Sequence, residues 1–297
     1  MDITKKQEIG ARERANLKEK RRVVVKVGSS SLAHPGTENL DLTKLEVLVR
    51  ELTDLRNRGM DVVLVTSGAM MAGRRALGYE YKPERIAEKQ ACAAVGQARL
   101  MMIYQKLFAE YSQVAAQILL TKSNVLDEIT RRNATNTFEQ LLAMHVIPIV
   151  NENDTVATSE LYDVPFLVEN DTLAAVVSVM IDADLLILMS DIDGLYTDDP
   201  KKTPDAAFIS TVLPEEEHYF ELGRGPGSKV GTGGMQTKLL AAKIAAWSGI
   251  DMVIANSKDF RNIHRIIEGE DIGTLFLGEH RPDFSLPEIL KREEQRR

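Results

Sequence analysis

Two lysines stand where a positive charge could serve a migrating phosphoryl group. Lys26 ends a predicted buried strand beside Gly28-Ser29-Ser30, where a charge is costly unless it has a partner. Lys238 lies in the first turns of a predicted helix, where a positive charge gains nothing from the helix dipole. Phosphoryl transfer needs mainly positioning and charge neutralisation, so the pair favours this chemistry. Lys238 could also be an ordinary solvated helix residue.

Short polar loops follow four predicted strands. Ligands of open α/β sheets gather beyond the carboxyl ends of the strands, and glycine and serine let backbone N–H groups approach an anion closely. Each loop alone could be a plain βα turn, whereas together they predict phosphate binding at one edge of the sheet. The loops are Gly28-Ser29-Ser30, Ser67-Gly68-Ala69, Asn151-Glu152-Asn153-Asp154 and Ser190-Asp191.

The standard signatures of other enzyme classes are missing. No glycine is followed directly by lysine, so there is no P-loop, and no strand is followed by an intact G-x-G-x-x-G. The 5 histidines are scattered without H-E-x-x-H, which disfavours a zinc hydrolase. The single cysteine, Cys92, lies in an apolar run and is predicted to be a buried structural thiol.

The elements that must position these residues alternate between short apolar runs and longer amphipathic stretches. This pattern is typical of βα units around a two-face-buried sheet. It predicts a three-layer α/β/α sandwich with a mainly parallel central sheet. Strands are expected at 22–27, 61–66, 114–120, 146–150, 185–189, 252–255 and 274–277, and helices at 42–59, 83–111, 127–144, 171–181, 235–247 and 260–267.

Composition limits the possible binding partners and the cellular location of the protein. The chain has 297 residues with a formal net charge of −7, which makes nucleic acid a poor partner. No apolar run is long enough for a membrane span, no secretory signal precedes residue 22, and the cysteine content suits a reducing cytoplasm. We expect a charged arm over 1–21, one domain over 22–278 and a charged tail over 279–297.

Five stretches, in order between about residues 22 and 278, resemble the glutamate 5-kinases of the amino-acid kinase superfamily. The combination of Thr-Ser-Gly-Ala, Asn-Glu-Asn-Asp and Gly-Thr-Gly-Gly-Met-x-Thr-Lys carries the resemblance to this family within the superfamily. The stretches are Val25–Ser30, Val65–Ala69, Val150–Asp154, Asp191–Pro200 and Gly231–Lys238.

This resemblance implies the amino-acid kinase fold and ATP-dependent phosphorylation of the γ-carboxylate of L-glutamate, the first step of proline synthesis. Mg²⁺ would bridge the nucleotide phosphates, and the enzyme would form dimers or tetramers. Lys26 and Lys238 would neutralise the transferring group and Asp171 would orient them, while Ser67, Asp154 and Asn170 would contact glutamate. The implied ATP-binding residues are Lys26, Gly28, Ser29, Ser190, Asp191, Thr232, Gly233, Gly234, Met235, Gln236, Thr237 and Lys238.

Two other functions stay open. Another amino-acid kinase, acting on acetylglutamate or aspartate, would share the phosphate site, whereas Asp154 suits a free α-ammonium better than an acylated amine. A non-catalytic regulatory subunit would bind nucleotide without turnover.

The chain departs from the usual family pattern in two ways. Val168 and Glu169 stand where glycine and aspartate are expected, and the chain corresponds to a kinase domain without the C-terminal PUA domain of many relatives.

Overall fold

The computed structural model describes residues 3–156, 170–200, 202–222 and 234–295. Within them, eight strands form a central sheet in the order β3-β4-β2-β1-β5-β9-β10-β8, and β6 pairs with β7 separately. The strands are β1 Arg22–Val27, β2 Asp61–Thr66, β3 Ala115–Leu120, β4 Ile147–Glu152, β5 Leu185–Ser190, β6 Leu195–Tyr196, β7 Phe208–Ile209, β8 Thr211–Val212, β9 Asp251–Asn256 and β10 Thr274–Phe276.

Ten α-helices in the described residues flank or extend this sheet. They are α1 Ile3–Asn16, α2 Leu42–Asn57, α3 Ala69–Ala76, α4 Ile86–Glu110, α5 Lys122–Leu126, α6 Glu128–Ala143, α7 Asn170–Met180, α8 Gly234–Trp247, α9 Asn262–Ile267 and α10 Leu286–Gln295. No helix in this part of the chain is long and apolar enough to cross a membrane.

The sheet is mainly parallel, as predicted. The central strand β1 pairs in parallel with β2 and β5, and β9 adds to β5 in parallel, while β10 runs antiparallel to β9. Side chains alternate between two cores: Val23 and Val25 pack on the side of α2, α4 and α9, and Val24 packs on the side of α6, α7, α8 and α10. This arrangement confirms the predicted three-layer sandwich.

The predicted helices are present, with changes at their ends. The stripe Leu45, Leu48, Leu52 and Leu55 of α2 is buried, although Leu42 is exposed. The long helix α4 begins at Ile86 rather than at Pro83, because Arg85 keeps an extended backbone and is the N-cap. Cys92 is buried as predicted, and desolvation raises the pKa of its thiol.

The segments expected to be an arm and a tail carry helices that pack on the rest of the chain. Arg14 of α1 is buried and donates hydrogen bonds of 2.8 Å to the backbone carbonyls of Ser210 and Gly273. Leu290 of α10 is fully buried in the core beside α8. The division into arm, domain and tail stays a prediction.

A close crossing of α3 and α4 supports the loop that ends β2. A Cβ atom added to Gly96 would lie 1.6 Å from the carbonyl oxygen of Ala69, and one added to Gly73 would lie 1.7 Å from that of Cys92. Both contacts are with backbone atoms, which cannot rotate away. The two helices can therefore approach this closely only with glycine at both positions.

We expect Gly96→Ala to destabilise the protein by about 3 kcal/mol, because the added methyl group must push α3 away from α4. The measurement is the free energy of unfolding in urea. Gly10→Ala in α1 is the comparison, since its Cβ would meet the hydroxyl of Thr211 at 2.5 Å, and a side chain can move. Equal losses in the two variants would contradict the argument from the helix crossing.

Candidate active site

A buried carboxylate lies between the two lysines singled out in the sequence. Asp171 is 1% exposed. The Lys26 Nζ lies 2.5 Å from its Oδ1, and the Lys238 Nζ lies 3.0 Å from its Oδ2. Thr237 Oγ1 also donates to Oδ2, at 3.2 Å. The structure thus brings Lys26, Asp171 and Lys238 together, although they come from β1, α7 and α8.

The fold explains why these three side chains meet. Lys26 is two residues beyond Val24 on β1, so its side chain points to the same face of the sheet, where α7 and α8 pack. Asp171 is in the first turn of α7, where the helix dipole favours a negative charge. Lys238 is one turn into α8, and its Nζ also donates to the Gly234 carbonyl at 3.2 Å.

The pKa of Asp171 reflects this arrangement. Burial alone would raise it, but the charges of Lys26 and Lys238 and the hydrogen bonds they donate outweigh desolvation, so the pKa lies below its ordinary value. The carboxylate therefore stays ionised at neutral pH. It offsets one of the two positive charges, and the group as a whole keeps one positive charge to offer to an anion.

A cavity of about 290 Å³ opens over this group. Ser190 and Asp191 border it at the end of β5, and Gly28 borders it at the end of β1. A Cβ added to Gly28 would lie 3.5 Å from the Lys26 Nζ, so a larger residue would occupy space beside the lysine. The described residues lining this cavity are Lys26, Gly28, Ser29, Ser30, Ser31, Ser67, Asn170, Asp171, Met189, Ser190, Asp191 and Lys238.

A second cavity of about 930 Å³ continues from the first. Four residues line both, namely Ser29, Ser30, Ser67 and Asn170. Asp154 lines only the larger cavity, as do the cations Arg74, Lys82 and Lys89. The boundary between the two cavities therefore lies at the four shared residues, next to the lysine pair.

Three acceptors surround Asn170 at this boundary and share the two protons of its side-chain amino group. Its Nδ2 lies 2.9 Å from the Thr66 carbonyl oxygen, 2.6 Å from Ser67 Oγ and 3.0 Å from Asn151 Oδ1. These contacts connect the ends of β2 and β4 to the first residue of α7. Ser67 and Asn170, predicted as glutamate contacts, are thus in direct contact with each other.

The other predicted residues fall into three groups. Gly28, Ser29, Ser190 and Asp191, which are predicted to bind ATP, line the smaller cavity. Gly234, Met235 and Gln236 lie in the first turn of α8 and are not among the described residues that line either cavity. Thr232 and Gly233 lie outside the described residues. The ATP-binding roles of the residues in all three groups stay predictions.

Sequence reasoning missed several residues of the site. Ser30 lines both cavities and was visible in the serine-rich turn after β1. Asn151 was visible in the Asn-Glu-Asn-Asp segment, yet its contact with Asn170 depends on the fold. Arg74 lies on α3, a short helix that the sequence pattern did not predict.

Comparisons with known proteins agree on the class of enzyme. A model of the amino acid kinase family matches residues 21–256. A glutamate 5-kinase from Carboxydothermus hydrogenoformans is 51% identical over 260 residues, which cover 88% of this chain and 68% of the relative. Glutamate 5-kinases from Enterococcus faecalis and Clostridium tetani are 46% and 49% identical and cover 91% and 88% of this chain, corresponding to 100% and 96% of the relatives.

The fold also has a solved counterpart. A UMP kinase from Bacillus anthracis superposes with a TM-score of 0.56 at 15% sequence identity, covering 88% of this chain and 97% of that one. At this identity the similarity concerns the fold alone.

Proposed function

The chain belongs to the amino acid kinase family, and from this we propose how its two cavities share the phosphorylation of L-glutamate by ATP. The enzyme is a glutamate 5-kinase, which transfers a phosphoryl group from ATP to the γ-carboxylate of L-glutamate in the first step of proline biosynthesis. The observation that carries the proposal is the group Lys26–Asp171–Lys238, which keeps one positive charge at the cavity boundary.

The smaller cavity is assigned to the ATP phosphates. Lys26 and Lys238 neutralise charge on the transferring phosphoryl group, and Asp171 holds both lysines in place. Gly28 and Ser29 lie beside Lys26 and leave room for an anion. Because the lysines are fixed before the substrate binds, little reorganisation is needed during transfer.

The larger cavity is assigned to L-glutamate. Asp154 lies on its wall and supplies the negative charge that an α-ammonium group requires. Ser67 and Asn170 lie at the boundary, so the γ-carboxylate would face the phosphoryl group there. This orientation places the α-ammonium beside Asp154 and the γ-carboxylate toward the lysine group.

Mg²⁺ is assigned to the nucleotide, where it adds positive charge to the phosphates. Among the described residues there is no group of three or more His, Cys, Asp and Glu side chains that could hold a metal. Of the two carboxylates that line the smaller cavity, Asp171 is bound to the lysines, whereas Asp191 is exposed. Asp191 is therefore the described side chain that would hold a phosphate-bound Mg²⁺, which commonly uses one or two carboxylates.

The test is ADP release from ATP and Mg²⁺ with L-glutamate, N-acetylglutamate or L-aspartate as acceptor. Hydroxylamine is added to trap an acyl phosphate as a hydroxamate. We expect hydroxamate with L-glutamate only. Turnover with another acceptor would keep the phosphate site and refute the glutamate assignment, and nucleotide binding without any turnover would favour the regulatory function.

Asp154→Asn is expected to raise the KM for glutamate by about a hundredfold, because the α-ammonium loses its charged partner. The KM for ATP should stay within about twofold, since Asp154 lines only the larger cavity. Steady-state kinetics with each substrate varied in turn measures both values. Asp283→Asn, an exposed position away from both cavities, is the control. Equal increases in both constants would contradict the role of Asp154.

Assembly and location are also proposals. The family resemblance supports a dimer or tetramer, which analytical ultracentrifugation of the full chain would test. The need for ATP and the single cysteine support a cytoplasmic location. Fractionation of cells that carry the native gene would test this.

A further inference from the structure

A chain of side-chain amides runs from the cavity boundary into the core. Asn170 Nδ2 donates to Asn151 Oδ1 at 3.0 Å, and Asn151 Nδ2 donates to Gln97 Oε1 at 2.9 Å. Gln97 lies on α4 and is 7% exposed. It does not line either cavity among the described residues. The sequence pattern gives it no role beyond that of an ordinary buried helix residue.

The direction of this chain is set by a backbone carbonyl. The Thr66 oxygen only accepts hydrogen bonds, so the amino group of Asn170 must face it. Asn151 must then turn its oxygen toward Asn170 and its amino group toward Gln97, which must present its own oxygen. Gln97 Nε2 is left without a partner in the described part of the chain. Gln97 therefore acts on Asn151 through its acceptor Oε1.

The direction of these hydrogen bonds determines where the Ser67 hydroxyl accepts and where it can donate. Asn170 Nδ2 donates to Ser67 Oγ at 2.6 Å, so the hydroxyl oxygen is an acceptor on that side. A hydroxyl has one proton of its own to donate, and no acceptor for it is found among the described residues. Because Ser67 lines both cavities, this proton is left for a group bound there.

We propose that Gln97 is a positioning residue that, through Asn151 and Asn170, keeps the Ser67 hydroxyl free to donate to a carboxylate oxygen of the acceptor substrate. The inference rests on the proposed function, because it takes the acceptor to be L-glutamate. Without the oxygen of Gln97, the buried Nδ2 of Asn151 loses its acceptor, so Asn151 is no longer held in place against Asn170. Asn170 and Ser67 are then in the binding arrangement for only part of the time, and the apparent affinity for glutamate falls by that fraction.

Gln97→Met keeps the length of the side chain and removes the acceptor. We expect it to raise the KM for glutamate about tenfold, which corresponds to the loss of one neutral hydrogen bond, and to leave the KM for ATP unchanged. In a Ser67→Ala background the same substitution should raise the KM for glutamate less than about twofold. The hydroxyl proton that Gln97 keeps available is already absent there. Glutamate-dependent hydroxamate formation by all four enzymes measures these values.

Gln105→Met, at an exposed position of the same helix, is the matched control and should match the wild type. If Gln97→Met fails to fold, Gln97→Glu replaces it in the test, since glutamate keeps an acceptor for Asn151 and puts a second carboxyl oxygen in place of the unpartnered Nε2. Its KM for glutamate should then stay close to that of the wild type.

The outcomes separate the inference from the proposed function. A wild-type enzyme without glutamate turnover would refute the function. If the wild type is active, the proposed function stands, and any one of four results would then refute the inference. These are an unchanged KM in Gln97→Met, equal effects with and without the Ser67 hydroxyl, a parallel rise in the KM for ATP, and a tenfold higher KM in Gln97→Glu.

Discussion

Lys238→Ala is expected to lower kcat by at least about a hundredfold, the scale for losing one preorganised charge at a transferring group. The Lys238 Nζ is held by Asp171 at 3.0 Å and by the Gly234 carbonyl at 3.2 Å, so it occupies its position before ATP binds. The charge matters most as the phosphoryl group leaves the nucleotide, and the effect should therefore fall on kcat more than on either KM. ADP release at saturating ATP and glutamate measures it.

Lys243→Ala is the matched control for this prediction. Lys243 lies on the same helix and is buried, and its Nζ pairs with Glu221 at 3.1 Å and lies over the ring of Trp247 rather than beside the site. Its loss should lower stability and leave kcat unchanged. Similar decreases in kcat for both variants would mean that α8 itself had been disturbed. An unchanged kcat in Lys238→Ala would remove this lysine from the reaction.

Much of the fold could be predicted because the spacing of apolar residues along the sequence shows which side chains are buried. β5 is apolar up to its last residue and β1 is apolar apart from Arg22 and Lys26, as expected when both faces of a parallel sheet are covered. The helix α10 was missed because its 10 residues contain only a few apolar side chains, and its burial depends on the core that α8 forms. The short helix α3 was missed for a related reason, since its close packing uses glycine rather than a large apolar stripe.

The site could be predicted in part. Lys26 and Lys238 were visible because each charge lies where the local structure does not favour it, and Asp171 followed from the family resemblance. The contact between Gln97 and Asn151 could not be predicted, because 54 residues separate them and a glutamine in an amphipathic helix has no distinctive pattern. Such contacts depend on the register of α4 against β4, which local spacing does not determine.

Asp171→Asn is expected to lower kcat by about a thousandfold, more than the loss of either lysine alone, because it releases both. The amide has nearly the shape of the carboxylate but no charge. Lys26 and Lys238 would then face each other without the counter-ion that holds them at 2.5 Å and 3.0 Å. Breaking a buried ion pair in this way should also lower the free energy of unfolding by about 3 kcal/mol at pH 7.

The pH dependence of this stability difference identifies its source. The pKa of Asp171 in the folded protein is below its ordinary value of 3.8, so its charge stabilises the fold fully above that value. The contribution decreases as the pH falls below 3.8 and is gone once the pH has passed through the lowered folded pKa. Urea unfolding of the wild type and Asp171→Asn should therefore give a constant difference from pH 8 to pH 5 and a smaller one near pH 3. A difference that already shrinks between pH 8 and pH 5 would assign the stabilisation to another titrating group, since the Asp171 carboxylate stays ionised throughout that range.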